Sequence, residues 1–377
     1  MIRKEIYRSL SRKITLLALA VATAFLVYYG TFRIAEEVVI DNGEVYRYSE
    51  AVAHDKMIAE EFAGPLTVET VRVIWEKYGE PVNYFEHSLR DEELLSLAKQ
   101  GGYDNECNTL VARLFTGSVK QDDGKDILIL EEERDLSESR YLDGSYTFGY
   151  VGRGWNWYWD QQLMTLLLTS IVVIIAFSPI FSEDYAFRTA DIILPTVRGR
   201  FQIWRLRTGA GFLFASVYYW LMSAYAFLLN YIVYGGGGLS VSCGLTFLTY
   251  DWTRDSDPVW KAILIMHLGG WFSMLVLVLQ IQVISSKCKS SFMSLLWSLA
   301  AYLGPIAVVN TILNNFPVSR LCMWLKYFCY SMPLSFSGMF TQAPSSSKRV
   351  LLIFALVTAA GTAVLGAVGW SRHQVRN

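Results

Sequence analysis

Leu163–Phe181 reads LMTLLLTSIVVIIAFSPIF and contains no Asp, Glu, Lys or Arg. An uncharged run of about 20 residues, rising 1.5 Å per residue as a helix, matches the roughly 30 Å hydrocarbon core of a bilayer. Comparable runs stand at Ile14–Gly30, Gly209–Val233, Ala262–Ile284, Ser290–Leu313 and Val350–Trp370. The chain of 377 residues is therefore expected to be an all-α polytopic membrane protein with six transmembrane helices. The first run follows a basic start (Arg3, Lys4, Arg8, Arg12, Lys13) and precedes Tyr28-Tyr29-Gly30-Thr31-Phe32-Arg33. No small-x-small cleavage pattern occurs there, so this run reads as a retained anchor.

Residues 31–160 separate the first run from the second and hold 27 Asp and Glu against 13 Lys and Arg, a net of −14 within a whole-chain charge of −1. Such a shift marks a boundary. The expected organisation is a cytoplasmic N-terminus and first transmembrane helix over 1–30, an acidic extracytoplasmic domain over 31–160, and a five-helix transmembrane domain over 161–377. Within 31–160, apolar spacing and Gly or Pro breaks predict helices over Ser49–Phe62, Val68–Tyr78, Leu89–Ala98 and Asn105–Phe115. Short strands are expected at Lys125–Leu130 and Ser145–Val151. The domain is thus mainly helical, of α+β type, between transmembrane helices one and two. The run Trp155-Asn156-Trp157-Tyr158-Trp159 reads as an aromatic belt at a membrane surface, with a ligand-stacking platform as the alternative.

Orientation follows from Lys and Arg in the short connections. With the N-terminus inside, segments 1–13, 182–208, 285–289 and 371–377 carry 14, whereas 234–261 and 314–349 carry 6. Both termini are then cytoplasmic and residues 31–160 extracytoplasmic, in a multi-pass protein of the cell membrane. An amphipathic stretch over Pro317–Ser337, ended by Pro333, reads as a re-entrant or interfacial helix on the outer side, with a plain surface loop as the alternative.

Chemistry is sparse. The uncharged runs contain no acid or base except His267, whose lone position near an interface suits a structural hydrogen bond better than catalysis. Cys107 stands alone in 31–160, no Cys-x-x-Cys pair accompanies Cys243, Cys288, Cys322 or Cys329, and neither a disulfide framework nor a metal site is expected. No G-x-x-x-x-G-K-[ST] loop occurs, so the chain carries no ATPase motif of its own. Catalytic residues, bound cofactors and nucleic-acid contacts are all expected to be absent.

The remaining informative stretch is the connection after the second run. Ser182 suits a helix N-cap with Glu183 and Asp184 in the first turn, and Pro195 ends that helix after about three turns. Tyr185, Phe187, Ile192, Ile193 and Leu194 give it an apolar surface, and Arg198-Gly199-Arg200 forms a basic turn. Its plain reading is an interfacial elbow with positive-inside arginines. The wording FSEDYAFRTADIILPTVRGRFQIWR (Phe181–Arg205) also resembles the corresponding segment of bacterial type-2 ABC exporter permeases, F-x-x-E-x-x-x-G-T/M-x-x-L-L-x-T/S-x-x-G-R/K. Phe181, Glu183 or Asp184, Thr189, Leu194, Thr196, Gly199 and Arg200 match; Arg188 stands where the family has glycine.

That resemblance, which covers about 25 residues, implies a permease subunit whose cytoplasmic coupling segment, 182–200, docks on a separate ABC ATPase subunit carrying ATP and Mg. It further implies a second permease half, identical or homologous, in the lipid bilayer. Glu183, Asp184, Thr189, Asp191, Arg198, Gly199 and Arg200 are the expected coupling surface. The cargo would be a peptide, lipid or antibiotic-like molecule. The alternative is a membrane-anchored sensor whose extracytoplasmic domain binds a ligand.

Overall fold

The computed structural model describes residues 2–84, 91–196, 201–246, 256–313, 320–336 and 345–371. Among the described residues, six helices are long and apolar enough to cross a membrane: Lys13–Phe32, Tyr158–Ala186, Phe201–Tyr234, Val259–Lys287, Ser291–Thr311 and Lys348–Trp370. They fall on the six uncharged runs because a helix without charged side chains loses nothing by leaving water. The chain divides into two compact units, one of Met1–Tyr28, Asp160–Ala226 and Leu264–Asn377, the other of Tyr29–Trp159 and Phe227–Ile263.

In the first unit, 61% of the second and fourth spans is buried within the protein, against 22%, 22% and 17% for the first, fifth and sixth, so the second and fourth form its centre. Val172, Val173, Ile174 and Phe177 of the second pack with Phe214 and Tyr218 of the third and Leu277, Val278 and Ile281 of the fourth. Gly270 permits the closest approach: a Cβ there would run into the Tyr219 hydroxyl. That hydroxyl donates to the His267 carbonyl at 3.1 Å and accepts from Gln162 Nε2 at 2.6 Å. His267 itself is buried and stacks on Trp220, with ring centroids 5.8 Å apart. In the fifth span, Pro305 removes one backbone donor and a π-helical turn follows at Val309–Leu313. An amphipathic helix, Arg320–Tyr330, lies between the fifth and sixth spans and exposes Leu321, Trp324 and Phe328.

The second unit mixes helix and strand. Helices Tyr48–Glu61, Val68–Tyr78, Asp91–Lys99 and Glu106–Phe115 match the sequence reading within two residues at each described boundary. Strands Val38–Asp41 and Glu44–Arg47 form one antiparallel hairpin, and Thr116–Lys120 pairs with Asp126–Leu130 in another. Gly64–Pro65 pairs with Thr147–Phe148. Trp155 departs from the belt reading: it is fully buried, packs on Tyr158 and Phe227, and donates from Nε1 to the Gly235 carbonyl at 3.0 Å. The short helix Gly152–Asn156 turns it inward and leaves Trp157 half exposed.

Some acids of this unit are structural. Asp55 accepts the Glu106 backbone N–H at 2.9 Å. Glu106 in turn accepts the N–H groups of Val151 and Gly152, at 3.0 and 2.8 Å, at the start of the Gly152–Asn156 helix. Burial pushes both carboxyls up, Asp55 well above its ordinary value and Glu106 to about 7. A folded state that holds protons more tightly than the unfolded chain is most stable below the ordinary carboxyl range, and that contribution is lost as pH rises through about 7. Thermal unfolding of the purified chain, followed by tryptophan fluorescence, is expected to show a higher transition temperature at pH 5 than at pH 7.5. Glu106→Gln should flatten this pH dependence. Glu106→Ala, which orphans two backbone donors, should cost about 1–3 kcal/mol at both pH values.

Candidate functional site

The elbow at the end of the second span begins where Pro179 occupies the first position of a new helix, Pro179–Ala186. Proline suits that position because it has no N–H to lose and its φ is already helical. Ser182 therefore lies inside the helix rather than capping it, which corrects the start read from sequence. Its backbone N–H and that of Phe181 donate to Ser285 Oγ, at 3.2 and 3.0 Å, while Ser285 Oγ donates to the Ser178 carbonyl at 2.7 Å. Ser294 Oγ reaches the same carbonyl.

The three-turn helix expected up to Pro195 is instead two pieces. Arg188 adopts φ 57°, the left-handed region, and a single turn, Ala190–Ile193, follows. Right-handed helix cannot continue through that conformation.

An ionic cluster secures this bend. Asp184 is paired with Arg207, and their side chains are only 3% and 2% exposed, so neither charge has water as an alternative partner. Arg8 reaches Asp184 at 3.1 Å and Glu183 at 3.2 Å; Arg12 reaches Glu183 at 2.5 Å and the Ala176 carbonyl at 2.9 Å. Glu5 lies 3.6 Å from Arg207 and 3.9 Å from Arg8. Thr189 Oγ1 donates to Asp184 at 3.2 Å. The Arg207 guanidinium also sits 5.0 Å from the Phe181 ring and 5.7 Å from that of Trp370, where the two π faces add cation–π attraction. Tyr185 donates to the Ser286 carbonyl at 2.9 Å.

Of the residues singled out from sequence, Glu183, Asp184 and Thr189 are thus drawn together, with Asp184 turned fully inward and Glu183 half buried. Asp191 is exposed. Arg198, Gly199 and Arg200 lie outside the described residues. Phe187 and Ile192 of the elbow are 75% and 74% exposed, beside exposed Arg188, Thr189 and Asp191. Arg8, Arg12 and Arg207 were legible only as positive-inside charge and Glu5 not at all; the helix ends at Leu10 and Arg12 falls in the turn before Lys13. Among the described residues no cluster of three or more His, Cys, Asp or Glu could hold a metal. Comparison of the chain with protein-family models, curated proteins and solved structures yields no match.

Because the Asp184–Arg207 pair is buried, removing one partner leaves the other with only its second ionic contact, Arg8 for Asp184 and Glu5 for Arg207. Asp184→Leu or Arg207→Met alone should each destabilise the detergent-solubilised protein by about 3–5 kcal/mol, whereas the double variant should recover most of the loss. Thermal denaturation of the three variants checks this.

Proposed function

We propose that the chain is the permease subunit of an ATP-binding cassette exporter, carrying no ATPase of its own and driven by a separate subunit that docks on the 182–200 elbow. ATP and Mg then belong to that partner, and a second permease half, identical or homologous, completes the transporter in the bilayer of a bacterial cell. The excess of Lys and Arg on one set of connections supports cytoplasmic termini and an extracytoplasmic 31–160 domain. The chemistry of the cargo is a peptide, lipid or antibiotic-like molecule.

One observation carries this reading. The family pattern has glycine immediately before its Thr, and the residue at that place here, Arg188, is the one residue between 179 and 196 with positive φ. A sequence position that the family fills with the residue best suited to left-handed backbone coincides with left-handed backbone in this chain. The elbow also leaves Phe187 and Ile192 exposed beside Arg188 and Asp191, large apolar side chains of the kind that anchor a protein contact.

Photo-crosslinking from positions 187 and 192 in native membranes is expected to capture a protein with Walker motifs. Phe187→Asp or Ile192→Asp should reduce that capture about tenfold or more, as expected when an interface anchor is lost. Adducts that contain no ATP-binding protein, or elbow positions that react with impermeant probes from the outer side, would overturn the reading. Arg188→Gly is expected to retain capture and to raise thermal stability, since glycine removes a left-handed penalty of about 1 kcal/mol.

A further inference from the structure

The fourth and fifth spans, Val259–Lys287 and Ser291–Thr311, are joined by a short turn, Cys288-Lys289-Ser290, yet a groove of about 530 Å³ lies between them. Ile284, Lys287 and Cys288 line it from the end of the fourth span and the turn, and Trp297, Ala300 and Ala301 from the fifth. The packing of the fifth span accounts for the gap. Its buried stripe is Ser294, Ser298 and Tyr302, and the Ser294 hydroxyl reaches the Ser178 carbonyl of the second span. Residues four apart share a helix face, so committing that face to the second span turns Trp297 and Ala300 away from it. Trp297 is 56% exposed and Ala300 is exposed as well. Two alanines beside a tryptophan leave a depression that no described side chain fills.

The charge around the groove is one-sided. Among its lining residues only Lys287 is charged, and it is exposed at the last position of its helix. Residues 258–377 hold nine Lys and Arg and no Asp or Glu, so the whole neighbourhood in sequence supplies no counter-charge. In the first unit the acids are Glu5, Asp160, Glu183, Asp184 and Asp191. Glu5, Glu183 and Asp184 are engaged by Arg8, Arg12 and Arg207. An anion for Lys287 must come from outside the chain.

Both features select the same occupant. A groove on the flank of two spans opens on hydrocarbon, and an acyl chain matches its apolar wall without burying any polar group. A lysine that ends a span lies at the level of phospholipid phosphates, and basic pockets between spans hold anionic headgroups. Trp297, in the second turn of its helix, suits the same boundary. Other occupants fit less well. A soluble anion would satisfy the lysine and leave the apolar wall uncovered. A second copy of the chain would bring the same acid-free spans to a lysine that needs an anion.

We propose that this groove holds one anionic phospholipid, with the headgroup phosphate on Lys287 and one acyl chain along Ile284, Trp297, Ala300 and Ala301. The site lies in the first unit alone and does not depend on the permease reading.

The test uses the full chain in detergent, with native mass spectrometry reading the lipid retained after addition of dioleoylphosphatidylglycerol, dioleoylphosphatidylcholine or glycerol phosphate. The two lipids share their tails, and glycerol phosphate is the anionic headgroup without them. Phosphatidylglycerol is expected to be retained about fivefold more tightly than phosphatidylcholine, the preference that one lysine gives an anionic headgroup. Glycerol phosphate is expected not to bind. Lys287→Gln should abolish the preference, whereas Lys289→Gln, which removes the same charge outside the groove, should keep it. Ala300→Leu, which fills the groove, should lower retention of both lipids several-fold. Lys287, Lys289 and Ala300 are exposed, so all three variants should keep the thermal transition of the parent. Equal retention of the two lipids by the parent chain would overturn the proposal, as would an undiminished preference in the Lys287→Gln protein, an equal loss in the Lys289→Gln protein, or unchanged retention in the Ala300→Leu protein. Glycerol phosphate binding as tightly as the lipid would assign Lys287 to a free anion and overturn it too. So would a dimeric parent that Ala300→Leu converts to a monomer by light scattering, because the groove would then belong to a second copy. The lipid comparison uses the unaltered chain, so it decides the matter even if a variant lowers the folded yield.

Discussion

Withdrawing a guanidinium and a carboxylate from water costs several kcal/mol per ion, and only a close, well-oriented partner offsets it. At the end of the second span, Asp184 and Arg207 meet under these conditions, and the local backbone is arranged around their meeting. Pro179 starts a fresh helix, so Asp184 comes round toward the third span. The left-handed turn at Arg188 then ends that helix before it can carry further charges inward. Arg8 and Arg12 add a second tier of contacts from the N-terminal helix, Ile2–Leu10, and its following turn. With Glu183 and Asp184 turned toward the arginines, Phe187 and Ile192 are left exposed beside Arg188 and Asp191.

How much of this was legible from the sequence depended on the range of the interaction. Membrane spans are local: absence of charge over about 20 residues is sufficient, and all six runs were found that way. The elbow's start was misread because Ser182 has cap chemistry while Pro179 has first-turn geometry, and the groups freed there are satisfied by Ser285 and Ser294, more than 100 residues away. The same distance hid the ion pairs of Arg8 and Arg12. Arg8 and Asp184 are separated by 176 positions, and no periodicity or motif encodes a contact of that span. Arg207 was counted correctly as a positive charge beside a membrane helix, but a count cannot say which way a side chain turns.

The polar domain shows the same limit. A net of −14 suggests a solvated acidic surface, and many of its acids are exposed. Yet Asp55, Glu37 and Glu106 are held inside by hydrogen bonds to backbone N–H groups, to the Tyr234 hydroxyl, or both to each other's neighbourhood and to the helix at Gly152. Composition reports how much charge a segment carries; burial decides whether it solubilises the surface or shapes the interior. Tryptophan follows the same logic, since Trp155 and Trp157 differ by two positions and by nearly half their exposure.

The elbow uses charge in two ways. Glu183, Asp184, Arg8, Arg12 and Arg207 neutralise one another within the chain, whereas Arg188 and Asp191 stay exposed beside Phe187 and Ile192, so contact with a partner draws on apolar area together with a small salt-sensitive component. Charges already paired within the chain leave little desolvation to oppose a protein contact beside them. The difference lies in the pairing of the charges, and it is visible only once the residues are placed in space.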